Sequence, residues 1–167
     1  MYETGSCVLY GIHGVCRVIG REKQLVDRKR AEYLVLEPLG QGDSRFYLPT
    51  ANPNAMAKLR AVLSARELES LIASDQVRED CWVPEESLRK QYYRDLISNG
   101  DRASLMRMVG SLYRYRDAQA AAGRKFHQCD ENFLRDAEKL LSSEIALVLE
   151  LTPEQARDYL RTHLMSA

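Results

Sequence analysis

"CVLYGIHGVCRVIGRE", residues 7–22, decides how the chain begins to fold. Its apolar residues alternate, β-branched side chains are frequent, and Gly11, Gly14 and Gly20 cut it into short pieces. A period of two marks strands with one buried face, and glycines between such runs mark turns. Working outward, "AEYLVLEPL" (31–39) reads as a second strand with a stop at Pro38, "GQGD" (40–43) as a turn, and "RFYLP" (45–49) as a third short strand. Short strands and Gly-rich turns packed so densely predict a small, strongly bent barrel.

After Pro49 the pattern turns helical. "SARELESLI" (64–72) opens with a capping box, Ser64 as N-cap and Glu67 three residues on, whose side chains satisfy otherwise orphan amides. "ASDQVREDCWVP" (73–84) breaks the pattern and reads as a linker. Pro84 suits the first turn of a second helix, "EESLRKQYYRDLI" (85–97), which stops at Asn99-Gly100. Its inward line is expected to be Leu88, Tyr92 and Leu96, with Lys90 and Arg94 on another face and Arg89 beside them. Asp101 caps a third helix with Leu105, Met108, Val109 and Leu112 on one stripe, which fades at "QAAAGRK" (119–125). Asp130 opens a fourth helix, with Phe133, Leu134, Ala137, Leu140, Leu141, Ile145, Val148 and Leu149 inward. "TPEQARDYLRTHL" (152–164) is the last, with Thr152 as cap, Pro153 in first position and Gln155 closing the box. The expected class is therefore α+β in two domains. Residues 1–52 form the small β-barrel, 53–81 a helical connection and linker, and 82–167 an all-α bundle.

Net charge is zero, from 24 basic and 24 acidic residues, yet the charge is uneven. Residues 78–126 carry ten Lys and Arg, and five of their seven acids lie at or before Asp95. Residues 127–167 reverse the sign, with four basic residues against eight acids. A basic middle in a neutral chain can bind phosphate locally without a global basic field. Arg107 and Arg114 are seven apart and stack on one side of their helix, and Arg116, Arg124 and Lys125 carry the charge onward. Tyr93 and Tyr115 sit among these cations. Cations interleaved with aromatics fit nucleic-acid backbone binding, while a solvated helix face explains the same charges without a partner.

No P-loop, GxSxG, HExxH or convincing Ser-His-Asp order is present, which argues against an enzyme. His13, Cys16, His127 and Cys129 could be drawn as metal ligands, but their spacing is loose and they fall in different domains, so neither metal nor cofactor is expected. The four cysteines lack paired spacing and read as reduced cytosolic thiols. No apolar run approaches membrane-spanning length, and nothing at the start resembles a targeting segment.

"SCVLYGIHGVCRVIG" (6–20), "AEYLVLEPLGQGDSRFYLPTAN" (31–52) and "LRDAEKLLSSEIALVLELTPEQ" (134–155) resemble the CarD/CdnL family of bacterial transcription regulators. The N-terminal part is similar to the polymerase-interacting domain of transcription-repair coupling factors, whose helicase motifs this chain has no room for. The resemblance implies a Tudor/SH3-like β domain that docks on the RNA polymerase β subunit, partly by sheet pairing. It implies a helical domain that contacts promoter DNA, mostly without sequence preference, and stabilises the open complex. No membrane or small-molecule partner is implied. In the family a Trp wedges into the minor groove and basic side chains hold phosphates. The basic face and the resemblance together make Trp82, Arg89, Lys90, Arg94, Arg107, Arg114, Arg116, Arg124 and Lys125 the candidate DNA-contacting residues. Trp82 lies one helical turn further from the Gly100-Asp101 pair than the family Trp, and Glu86 falls at the wedge position. Arg89 keeps a basic family position, while Leu88 and Gln91 replace others. Two polymerase-binding arginines of the family fall near Gln24 and at Tyr47, with Arg45 two residues away and on the same strand face. Trp82, flanked by Glu79, Asp80, Glu85 and Glu86 in "REDCWVPEES" (78–87), is open to two roles: DNA wedge or packing anchor, at a helix start or between the domains.

Overall fold

The computed structural model describes residues 2–40, 42–99 and 101–165. Gln41 of the expected "GQGD" turn and Gly100 of the Asn99-Gly100 helix stop lie outside the described residues. The chain divides into two compact units, Met1–Val62 and Leu63–Ala167, an α+β layout with the sheet first and the helices after it.

The first unit is an antiparallel sheet of β1 (Cys7–Tyr10), β2 (Val15–Val26), β3 (Lys29–Pro38), β4 (Phe46–Pro49) and β5 (Leu59–Ala61), in the order β4-β3-β2-β1-β5. A four-residue helix, α1 (Pro53–Met56), precedes β5 and is capped by the Asn52 side chain. Val8, Cys16, Val18, Leu34, Leu36, Leu48 and Leu59 form the core. The alternation read in 7–22 appears as two strands, with β1 and β2 pairing Val8 to Cys16 across a short 3-10 turn. A register shift between Val18 and Gly20 lets the long β2–β3 ribbon continue beyond the core. Its two-residue turn, Asp27-Arg28, has φ of 50° and 64°, the left-handed pair that matches the strand twist in a tight hairpin.

β5 corrects an expectation. Residues 53–81 read as helical connection and linker, but Leu59–Ala61 pairs with β1, and the segment is shared between the two units. Three residues carry too little periodicity to announce a strand; pairing with β1, about fifty residues earlier, orders them.

The second unit holds α2 (Ala65–Ile72), α3 (Glu86–Asn99), α4 (Arg102–Ala121), α5 (Gln128–Val148) and α6 (Pro153–Met165). Both capping boxes form. Ser64 and Glu67 exchange bonds of 3.1 and 2.9 Å, and Thr152 and Gln155 bonds of 3.1 and 3.0 Å. Asp101 accepts from the Ser104 N–H at 2.7 Å, as its position predicts. Asp130 does not open α5: His127 is the N-cap residue and Asp130 is buried in the first turn. α4 is the central element, packed by α2, α3, α5 and α6. Its expected stripe is buried, and so are Ala103, Met106 and Tyr113 on its other sides. The segment read as a linker, 73–84, is folded into this unit. It forms a 3-10 turn, Asp75–Arg78, whose Val77 is buried in the helical core.

Candidate functional site

α3 is rotated from the expected phase. Leu88 and Tyr92 are 58% and 39% exposed, while Arg89 and Tyr93 are buried, with Leu96 and Ile97 partly so. An apolar period along α3 is compatible with either line, and the tertiary partner decides. Arg89 Nε and Nη2 donate to the two Asp130 carboxylate oxygens at 2.9 and 3.1 Å. Its Nη1 donates to the carbonyls of Val83 at 3.0 Å and Pro84 at 3.3 Å. Arg89 therefore ties the irregular segment entering α3 to the first turn of α5, and it is corrected from DNA contact to interior cross-link. A buried charge needs such complete pairing to be tolerated. Tyr93, expected among exposed cations, lies in the core; burial drives its phenol well above the ordinary range. Its hydroxyl has no hydrogen-bond partner among the described residues.

Trp82 is a layer in the same construction. Its ring stacks on Tyr115, with centroids 3.6 Å apart and planes 16° from parallel. The Arg89 guanidinium carbon lies 4.3 Å from the centroid of the Trp82 ring. Tyr115 leans in turn on Phe126, at 6.3 Å. The ring is half-buried against the helical core. Groove insertion would require this stack to open, at the cost of an aromatic contact and a cation–π contact.

The backbone before Trp82 is pinned to α4. Cys81 N–H donates to Ser111 Oγ at 2.9 Å, and Trp82 N–H donates to Asp80 Oδ1 at 3.3 Å. Burial pushes the Cys81 thiol up from its ordinary value, opposed in part by its Ser111 contact. Arg107 then meets Glu79 at 3.4 Å and Arg114 meets Asp80 at 3.9 Å. The carboxylates that repel phosphate near Trp82 are thus placed against two of the cations expected to attract it.

The other basic candidates are disposed differently. Lys90 pairs with Glu86 at 2.9 Å, and this contact holds the Glu86 carboxyl below and the Lys90 ammonium above their ordinary values. Arg94, Arg124 and Lys125 are exposed, with no ion pair among the described residues. Arg116 lies over the Tyr113 ring at 5.5 Å and lines an open polar recess with Gln128, Glu131, Leu134, Arg135 and Glu138. The Tyr113 hydroxyl donates to Glu138 at the same place.

In the sheet unit Gln24, Arg45 and Tyr47 are all exposed. Gln24 pairs with Ala31 and Tyr47 with Val35, and Ala31 and Val35 are four residues apart on β3. The register therefore puts Gln24 and Tyr47 on one face, opposite Leu34, Leu36 and Leu48. Tyr47 also lies on an outer strand, where a further strand could add. Sequence reasoning passed over Leu25 and Val26, 72% and 43% exposed at the end of the β2–β3 ribbon. An apolar pair directly before the Asp27-Arg28 turn, inside a charged run, was the available signal.

Among the described residues no His, Cys, Asp and Glu cluster could hold a metal ion. Burial, with Cys7 nearby, pushes the Cys16 thiol up to about 11. No helix there is long and apolar enough to cross a membrane.

Compared with known families, residues 2–62 match the CarD-like/TRCF RID domain. The match ends at the boundary between the two units. A search of the curated proteins finds no significant match.

Proposed function

Residues 2–62 are a CarD-like RNA polymerase-interacting domain, and from that premise we propose that the protein is a transcription regulator of two working parts. The sheet unit docks on the β subunit of RNA polymerase through the face of Gln24, Arg45 and Tyr47 and the outer edge of β4. The helical unit contacts the backbone or minor groove of promoter DNA and stabilises the open complex. The protein acts by binding, without catalysis. The single observation that carries this reading is the domain match over the whole sheet unit, with all three expected docking residues exposed. Support for the DNA half is the exposed cations Arg94, Arg124 and Lys125, which have no ion pair among the described residues, together with the part-exposed Arg107 and Arg114, whose carboxylate partners stand in solvent.

A second reading, an adaptor that binds polymerase with no DNA contact, is favoured by the withdrawal of Arg89 into the Asp130 pair and by the covered Trp82 ring. Two assays separate the readings. Capture on an isolated polymerase β lobe is expected for the parent chain and weakened by Tyr47→Glu. Salt-sensitive retention of promoter DNA is expected for the parent and lost in Arg107→Glu/Arg114→Glu. Lobe capture with equal promoter binding by parent and double variant would remove the assigned DNA face.

A further inference from the structure

The contact between α4 and the segment before Trp82 sets charge against charge in a fixed register. Glu79 and Asp80 are consecutive residues on an extended stretch, held in place on both sides. Val77 is buried in the core just before them, and Cys81 N–H is bonded to Ser111 of α4 just after them. Their two carboxylates face Arg107 Nη1 at 3.4 Å and Arg114 Nη2 at 3.9 Å. Each guanidinium is also oriented by α4 itself: Arg107 donates to Ser104 Oγ at 3.1 Å and Arg114 to Ser111 Oγ at 3.3 Å.

Carboxylate and phosphate present similar acceptor geometry to the arginine fork, so the two compete for it. The pairs are poorly suited to a purely structural role. Both carboxylate side chains are 68% exposed, and pairs so wet add little to stability. Asp80 also accepts from the Trp82 N–H at 3.3 Å, a local bond that an asparagine oxygen can keep, while the neutral bond to Ser111 and the buried Val77 hold the backbone of the segment in place without either ion pair.

We propose that Glu79 and Asp80 form an acidic strap that mimics two successive phosphates, occupying Arg107 and Arg114 until a nucleic-acid backbone displaces it. The inference rests on the DNA-contacting reading above. The strap sets a threshold for binding: a single weak phosphate contact does not free the stripe, while a duplex offering phosphates to both arginines does. The carboxylates then swing into solvent while Val77 and Cys81 keep the backbone in place. The exposed cations Arg94, Arg124 and Lys125 are not covered by the strap and provide the first attraction.

The test is a four-way comparison in the full chain, titrating a short labelled duplex at several salt concentrations. The chains are the parent, Glu79→Gln/Asp80→Asn, Arg107→Gln/Arg114→Gln, and the combination of all four changes. Neutralising the strap is expected to tighten binding about tenfold, the strength of two exposed pairs. The slope of log affinity against log salt should stay close to the parent's, because both chains meet the same phosphates once bound, and should fall by about 2 where both arginines are replaced. In the background lacking both arginines the same neutralisation should change affinity less than about twofold. Thermal melting of each chain checks that all four remain folded. An equal gain in both backgrounds would reduce the effect to a general loss of negative charge and overturn the strap. Tight binding by the parent with no gain on neutralisation would overturn it while leaving DNA contact standing. If even the strap-neutralised chain fails to bind at low salt, the DNA-contacting reading falls, and the strap with it.

Discussion

Two kinds of arginine–carboxylate contact in the helical unit differ in almost every respect that matters. Arg89–Asp130 is bidentate, with side chains 4% and 0% exposed, and it joins the entry to α3 with the first turn of α5. Arg107–Glu79 and Arg114–Asp80 are single contacts at 3.4 and 3.9 Å whose carboxylates stand in solvent. The residue types are the same; desolvation separates their consequences. Water screens the exposed pairs and competes for both partners, so they can exchange with other ligands. The buried pair has no such alternative, and losing one partner leaves the other charged in a dry site.

Arg89→Ala is expected to cost about 3–5 kcal/mol, because Asp130 is left unpaired and the Val83 and Pro84 carbonyls lose their donor. Denaturant unfolding would measure this as a lowered midpoint at an unchanged slope. Arg89→Met/Asp130→Leu should be less destabilised than Arg89→Ala alone, because no charge is stranded. A double variant as destabilised as Arg89→Ala would show that the lost carbonyl bonds, rather than the stranded charge, carry the cost.

Trp82→Ala comes next. The ring is stacked on one side by Tyr115 and met on the other by Arg89, yet it is only half-buried, so a loss of about 2–3 kcal/mol is expected, below that of a fully enclosed aromatic. Thermal and denaturant melts read this loss. A variant that melts like the parent but fails to stabilise the open complex would favour the wedge over the anchor. At the exposed end, Arg107→Ala and Arg114→Ala should each shift stability by less than about 1 kcal/mol, with the shift fading at high salt. A loss near that of Arg89→Ala would erase the distinction between the two kinds of pair.

Local chemistry was read from sequence well. The boxes Ser64/Glu67 and Thr152/Gln155 and the Asp101 cap form as their spacing predicts, because a cap bonds to amides two or three residues away. The phase of α3 was misread because Arg89 looks like a surface residue until Asp130, 41 residues later, is brought to it. Treating Leu88 and Tyr92 as the inward line followed from hydrophobicity alone, which cannot anticipate a paired buried charge. The linker reading of 73–84 failed in a related way: buried Val77, with Cys81 and Trp82 packed against the same core, seats an irregular segment that has no periodic pattern. In the candidate site, the cations are legible in the sequence as a basic set, but their commitments are not. Lys90 to Glu86 lies within one helix, whereas Arg107 to Glu79 spans 28 residues.

By itself the sequence determined that the sheet comes before the helices, the caps at Ser64, Asp101 and Thr152, and the resemblance of its first third to a polymerase-interacting domain. These rest on contacts between residues near in the chain, or on patterns repeated along it. Only the tertiary structure decided which arginine is buried, what covers Trp82, and which cations already have carboxylates beside them. Those outcomes depend on residues far apart in sequence meeting in a place where water is, or is not, excluded. The strength of a charge–charge contact follows that local solvation, which no linear pattern records.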